Sequence, residues 1–153
     1  MGKNAQGKTN LLEAIFFALT GNSHRTNNDS SLILWGEKFS KITLTGNRSW
    51  GQVTVEISVR DDGKKLLKVN NQVKKKLSEL LGIINVVLFS PEDMLLVKGG
   101  PSARRRFVDL EISQSSPVYC QNLVNYSKII VQRNNLLKAV RENKENEDCL
   151  EVW

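Results

Sequence analysis

A chain of 153 residues, 40% hydrophobic and 25% charged, is long enough for one domain with its own core and too ordinary in composition for wholesale disorder. Its net charge of +6 suits a polyanion such as nucleic acid without requiring one. Two distant cysteines, Cys120 and Cys149, and a lone His24 argue against a disulfide framework or a zinc site, and no apolar run reaches the roughly 18 residues of a membrane span, so a soluble, cytoplasmic protein is expected.

The chain begins with a motif. Residues Gly2 to Thr9 spell G-x-x-x-x-G-K-T, the spacing of a phosphate-binding loop. A triphosphate needs several hydrogen-bond donors converging on it with no bulky side chain in the way. Gly2 and Gly7 let the backbone curl so that successive N–H groups point inward, with Asn4, Ala5 and Gln6 as the variable arch. The helix starting near Lys8 adds its unpaired N–H groups and the positive end of its dipole. Phosphate contacts are expected from Gly2, Lys3, Asn4, Ala5, Gln6, Gly7, Lys8, Thr9 and Asn10, with the Thr9 hydroxyl ligating Mg²⁺ and ATP as the nucleotide. Such a loop normally follows a buried strand, and only Met1 precedes this one. The expectation is half a site.

Further along, "TNLLEAIFFALTG" places apolar residues at 11, 12, 15, 16 and 19, a helical period, with Gly21 to end it. "NDSSLILWG" predicts a short helical turn capped by Asn28 or Asp29. The period then changes to two. "KITLTG", the alternating Val53, Val55, Ile57 and Val59, "KLLKV" and "QVKKK" predict an antiparallel meander, with "DDG" and "NN" as turns. "KLSELLG" predicts a short helix, and the β-branched "INVVLFS" a central strand buried on both faces. "SPED" is a helix start, Pro101 opens another helix, and Ser116-Pro117 opens the last and longest. On that helix Tyr119, Leu123, Tyr126, Ile130, Leu137 and Val140 approximate a heptad seam, broken by Arg133. From Arg141 to Glu151 the chain turns acidic, five acids against two bases.

Three blocks, "GKNAQGKTNLLEAIFFALTGNSHRT", "NVVLFSPEDMLLVKGGPSARRRFVD" and "QRNNLL", lie in register and correctly ordered with the RecF family. The chain resembles these bacterial recombination and repair ATPases, relatives of the ABC-type and structural-maintenance-of-chromosomes ATPases, from Gly2 to Leu137. The resemblance implies an α/β (α+β) ABC-type P-loop ATPase head: residues 1–100 as a partial lobe I with the meander, 101–153 as the start of a helical lobe II. It implies ATP binding with ATP-driven self-dimerisation, and DNA binding at single strands and duplex junctions. It further implies action with RecO and RecR to load RecA at gaps. The family's N-terminal strands, its S-x-G-Q signature and its Walker B acids have no counterpart here. Hydrolysis by this chain alone is therefore not expected. The other reading is a DNA-binding or dimerisation piece with a vestigial phosphate loop.

The resemblance also brings His24 or Arg25, in "SHRT", toward the nucleotide; the plainer role for both is as cations capping a helix C-terminus. For Glu92 and Asp93 the choice is between metal sensing and an acid cluster at a helix start. Between Lys38 and Lys76 there are ten basic residues against three acids. Lys64, Lys65, Lys74, Lys75 and Lys76, with Arg104 and Arg105, are the candidates for DNA phosphate contact, a solvated basic face being the alternative. Three consecutive arginines, Arg104 to Arg106, point three ways on a helix, so at most two can face one ligand.

Overall fold

The computed structural model describes residues 7–49 and 51–142, with the backbone alone for residues 92 and 95. The expectations for residues 2–6 and for the acidic stretch beyond Glu142 lie outside the described residues.

Helix α1 spans Lys8–Thr20 and is bracketed by two left-handed glycines, Gly7 (φ 75°) and Gly21 (φ 72°). Gly21 donates its N–H to Phe17 O at 2.8 Å, closing the last turn. A Cβ at Gly21 would fall 2.7 Å from Leu77 Cδ2, so a bare backbone lets the 77–79 turn close on the helix end. A 3₁₀ turn follows at Asp29–Leu32, capped by Asn28 Oδ1, which accepts from Ser30 N at 3.1 Å.

The meander forms as predicted: β1 (Phe39–Arg48), β2 (Gly51–Arg60), β3 (Lys65–Val69) and β4 (Gln72–Lys74), in the order β1-β2-β3-β4. All neighbours are antiparallel, and β1 and β2 pair in register from Phe39↔Arg60 to Arg48↔Gly51. The β3–β4 turn holds Asn70 and Asn71 at φ 47° and 65°, the two positive φ values of a type I′ hairpin, which asparagine tolerates. Period-two patterning sets one face inward. Val53, Val55, Ile57, Val59, Leu67 and Val69 pack on Phe17, Ala18 and Leu80, all buried. Each such side chain contributes about 1.5–3 kcal/mol by leaving water.

"KLSELLG" condenses to a 3₁₀ turn at Leu77–Glu79, followed by further turns. A second 3₁₀ turn, Pro91–Met94, runs into the short α2 (Leu95–Lys98). Then come α3 (Pro101–Ser115), with Pro101 in its first turn, and α4 (Pro117–Arg141). Ser116 Oγ caps α4 by accepting from Tyr119 N at 3.2 Å, and Tyr119 Oη donates to Asp109 Oδ1 on α3 at 2.6 Å.

One expectation fails. Residues 85–90 are extended but pair with no strand among the described residues. Asn85, Val87 and Phe89 face out and Val86, Leu88 and Ser90 face in, with Val87 86% and Phe89 91% exposed. Gln114 Oε1 accepts from Val86 N at 2.7 Å and anchors the run to α3. A β-branched composition reports what a segment buries once paired on both sides, and here a single face is covered. The seam on α4 is likewise incomplete: Tyr126 is exposed, and Ile130 and Val140 are half-buried. Among the described residues, no helix is long and apolar enough to cross a membrane.

Candidate nucleotide-binding site

The site is built on the first turn of α1. Leu11 N donates to Gly7 O at 3.0 Å, so helical hydrogen bonding begins at the second glycine of the motif. The N-cap of this helix is Gly7, which has no side chain to cap it, and the first turn carries no acid. Nothing lies within 4 Å of a Cβ built on Gly7, and Gly7, Lys8, Thr9 and Asn10 are all exposed. An open helix N-terminus flanked by an ammonium and a hydroxyl fits phosphate and a hard cation. Gly2, Lys3, Asn4, Ala5 and Gln6, the remainder of the expected cradle, lie outside the described residues.

One turn beyond Thr9, α1 carries a buried acid that sequence reading had not assigned to the site. Glu13 Oε1 accepts from Ser23 Oγ at 2.5 Å and Glu13 Oε2 from Arg25 Nη1 at 3.1 Å. Ser23 Oγ in turn accepts from Arg25 N at 3.0 Å and Thr26 N at 3.2 Å. The loop after α1 thus folds back onto that helix, and Arg25 rests against it through Glu13. The available signal was Glu13 itself, a charge inside the apolar run "NLLEAIFF", where a buried carboxylate demands partners. His24 stacks edge-on against Phe16, ring centroids 5.6 Å apart, and its Nδ1 is buried without a partner. It faces a cavity of about 330 Å³ between α1, residues 88–93 and α3, whose walls include Ser90, Asp93, Phe107 and Glu111. Asp93 Oδ2 accepts from Ser90 N at 2.6 Å, the bond of an acid at a helix start. Among the described residues no cluster of three or more His, Cys, Asp or Glu side chains is placed to hold a metal.

The basic candidates part company. Lys65 turns inward: its Nζ pairs with Asp29 Oδ2 at 2.7 Å, donates to Gly21 O at 2.7 Å and lies 5.1 Å from the Phe17 ring centroid. That ammonium is committed to the fold and is unavailable to DNA. Lys64 is exposed and pairs locally with Asp62 at 3.0 Å; that partner holds the Asp62 carboxyl below its usual range through hydrogen bonds and charge. Lys74 is half-buried, and Lys75 and Lys76 are exposed beyond β4. Arg104 Nη1 donates to Gly99 O at 3.0 Å just past α2, Arg106 Nη1 donates to Asn27 Oδ1 at 3.3 Å, and Arg105 is exposed. The three arginines do diverge.

A helix-first phosphate site beside an antiparallel meander and a helical extension defines the ABC-type P-loop ATPase head, and a family model for an AAA domain matches residues 1–151. At TM-score 0.53 and 26% identity the fold is also similar to a head of the SMC ATPases, over 76% of this chain and 82% of that one. Within the class, the chain belongs to the RecF family. It is 45% identical over 98% of its length to the DNA replication and repair protein RecF of Bacillus cereus, and spans 40% of that relative's length. A solved structure of the recombination mediator protein RecF-ATP in the RecFOR pathway matches at TM-score 0.90 and 37% identity, over 97% of this chain and 40% of that one.

Proposed function

We propose that this chain is the ATP-binding part of a RecF-type DNA replication and repair protein. The observation that carries the reading is the N-terminus of α1, with glycine at its N-cap and no acid in its first turn, presenting Lys8 and Thr9 at the end of a G-x-x-x-x-G-K-T motif. Lys8 neutralises the β- and γ-phosphates, Thr9 holds Mg²⁺, Asn10 adds a first-turn donor and Gly2, Lys3, Asn4, Ala5, Gln6 and Gly7 are the further phosphate contacts proposed from the motif. Bound Mg²⁺ supplies charge neutralisation and orientation of the phosphates. Arg25, bonded to Glu13 on the same helix, meets the nucleotide as well in this reading. Residues 1–100 make up the partial lobe I and residues 101–153 the start of the helical lobe II, a division in keeping with α3 starting at Pro101. The relatives' names, a DNA replication and repair protein and a mediator of the RecFOR pathway, support DNA as partner. RecO, RecR, RecA loading and ATP-driven self-dimerisation complete the proposed setting. Lys64, Lys74, Lys75, Lys76 and Arg105 form the proposed DNA-phosphate set, in a cytoplasmic protein.

A Mg-ATP titration of the purified chain followed by thermal melting tests the reading. Saturable binding with a raised melting temperature, lost in Lys8→Ala, is expected. A cooperative melt with no shift would refute nucleotide binding and leave the alternative, a DNA-binding or dimerisation piece with a vestigial loop.

A further inference from the structure

We propose that Glu13 is a positioning residue of the phosphate site: it holds the Arg25 guanidinium over the first turn of α1 and so gives the site a preference for nucleoside triphosphates over diphosphates. The inference rests on the nucleotide-binding reading above. Glu13 follows Thr9 by four residues, which sets the two on one face of α1, about 6 Å apart along its axis. Helical side chains lean toward the N-terminus and cover the turn before their own Cα, so the Glu13 carboxylate reaches back toward Thr9. It carries Arg25 with it, through the 3.1 Å bond from Nη1 to Oε2.

Burial makes this arrangement directional. The Glu13 side chain is 11% exposed and that of Arg25 45%, so the carboxylate lies inside and the Arg25 side chain remains partly open to solvent. A planar guanidinium can bind a carboxylate on one edge and offer its remaining donors to a phosphate on another. The second carboxylate oxygen is occupied by Ser23 Oγ, and that hydroxyl also takes the backbone N–H groups of Arg25 and Thr26. The backbone of Arg25 and its guanidinium are therefore both tied to the one carboxylate. Electrostatics demands the same solution. An acid one turn from a phosphate site repels the ligand unless a cation covers it. With Arg25 over Glu13, the ligand meets a guanidinium.

Bare Coulomb repulsion and positioning predict opposite signs. If Glu13 only repels phosphate, Glu13→Gln strengthens ATP and ADP binding alike. If it positions Arg25, Glu13→Gln weakens ATP and leaves ADP nearly unchanged. The test is calorimetric binding of Mg-ATP and Mg-ADP to the full chain and to Glu13→Gln, Ser23→Ala, Arg25→Gln and Arg25→Lys, with melting curves to confirm folding. Glu13→Gln and Arg25→Gln are each expected to cut the ATP-to-ADP affinity ratio by about ten-fold or more, the scale of one charge-assisted hydrogen bond. Ser23→Ala should cut it less, and the double variant Glu13→Gln with Arg25→Gln should lose no more than either single one. Arg25→Lys keeps the charge and loses the fork, and should restore part of the ratio. An unchanged ratio in Arg25→Gln, or an equal gain for both nucleotides in Glu13→Gln, would overturn the proposal and leave the nucleotide reading standing. Absence of ATP binding in the parent chain would overturn both. Should Glu13→Gln fail to fold, the Arg25 pair and Ser23→Ala decide the matter.

Discussion

Lys65→Met separates a fold-holding cation from a DNA-facing one. Methionine keeps the aliphatic stem over Phe17 and removes the ammonium, with its 2.7 Å contacts to Asp29 Oδ2 and Gly21 O. A hydrogen bond to a charged partner contributes about 1.5–3 kcal/mol, and loss of the cation from the Phe17 ring adds about 0.5–1. Asp29 is 23% exposed and partly rehydrates when its partner goes, which offsets some of the loss. The net destabilisation is about 2–3 kcal/mol, small enough against a stability of about 5–15 for the variant to stay folded at room temperature. In urea, with a slope of about 1–3 kcal/mol/M, the midpoint should fall by roughly 1–2 M. A loss below about 0.5 kcal/mol, or no coupling to Asp29→Asn in a double-mutant cycle, would refute the reasoning. DNA binding gives the complementary readout. Lys65→Met should leave the dependence of affinity on salt unchanged, whereas Lys75→Ala or Lys76→Ala should each lower that slope by about one.

Two more predictions follow from single contacts. Gly21→Ala meets both a positive φ of 72° and a 2.7 Å approach to Leu77 Cδ2, so a loss of about 2–3 kcal/mol and a melting temperature lower by roughly 5–10 °C are expected. Adding Leu77→Ala should relieve the clash and leave the backbone strain; an unchanged melting temperature in Gly21→Ala would contradict the glycine's role. The Tyr119 hydroxyl is raised above the usual tyrosine pKa of about 10 by its hydrogen bond to the Asp109 carboxylate, with burial and that same charge adding to it. A raised folded pKa means a contribution fully present below the unfolded pKa and lost as pH rises through the folded one. Stability should therefore fall above about pH 10, and Tyr119→Phe should flatten that decline. An equally steep decline in the variant would assign it to other groups.

The meander was legible because period-two patterning and turn chemistry are local properties. Val53 to Val59 declare their inner face by alternation, and Asn70-Asn71 declares its turn by tolerance of positive φ. The phosphate helix was legible through glycine spacing and an apolar period. What escaped depends on chain segments meeting in space. Nothing local separates Lys65 from Lys64, yet the first closes onto Asp29, thirty-six positions earlier, while the second pairs two positions away. Glu13 reads as an ordinary helical acid until Ser23 and Arg25 fold back on it. The run at 85–90 shows the converse. Its composition announces a buried strand, but composition does not specify how many of its faces find a partner.

Helix α4 turns the joint at Ser116 into a mechanical element. Its 25 residues extend about 37 Å. Its inward contacts concentrate near the base, where Cys120 is buried and Tyr119 is tied to Asp109, and among the described residues from 121 to 142 no side chain is buried. A rod clamped at one end acts as a lever: a tilt of about 10° at Ser116 sweeps the far end by about 6 Å. Small displacements of α3, which Val86 N grips through Gln114, would arrive at the tip of α4 enlarged several-fold.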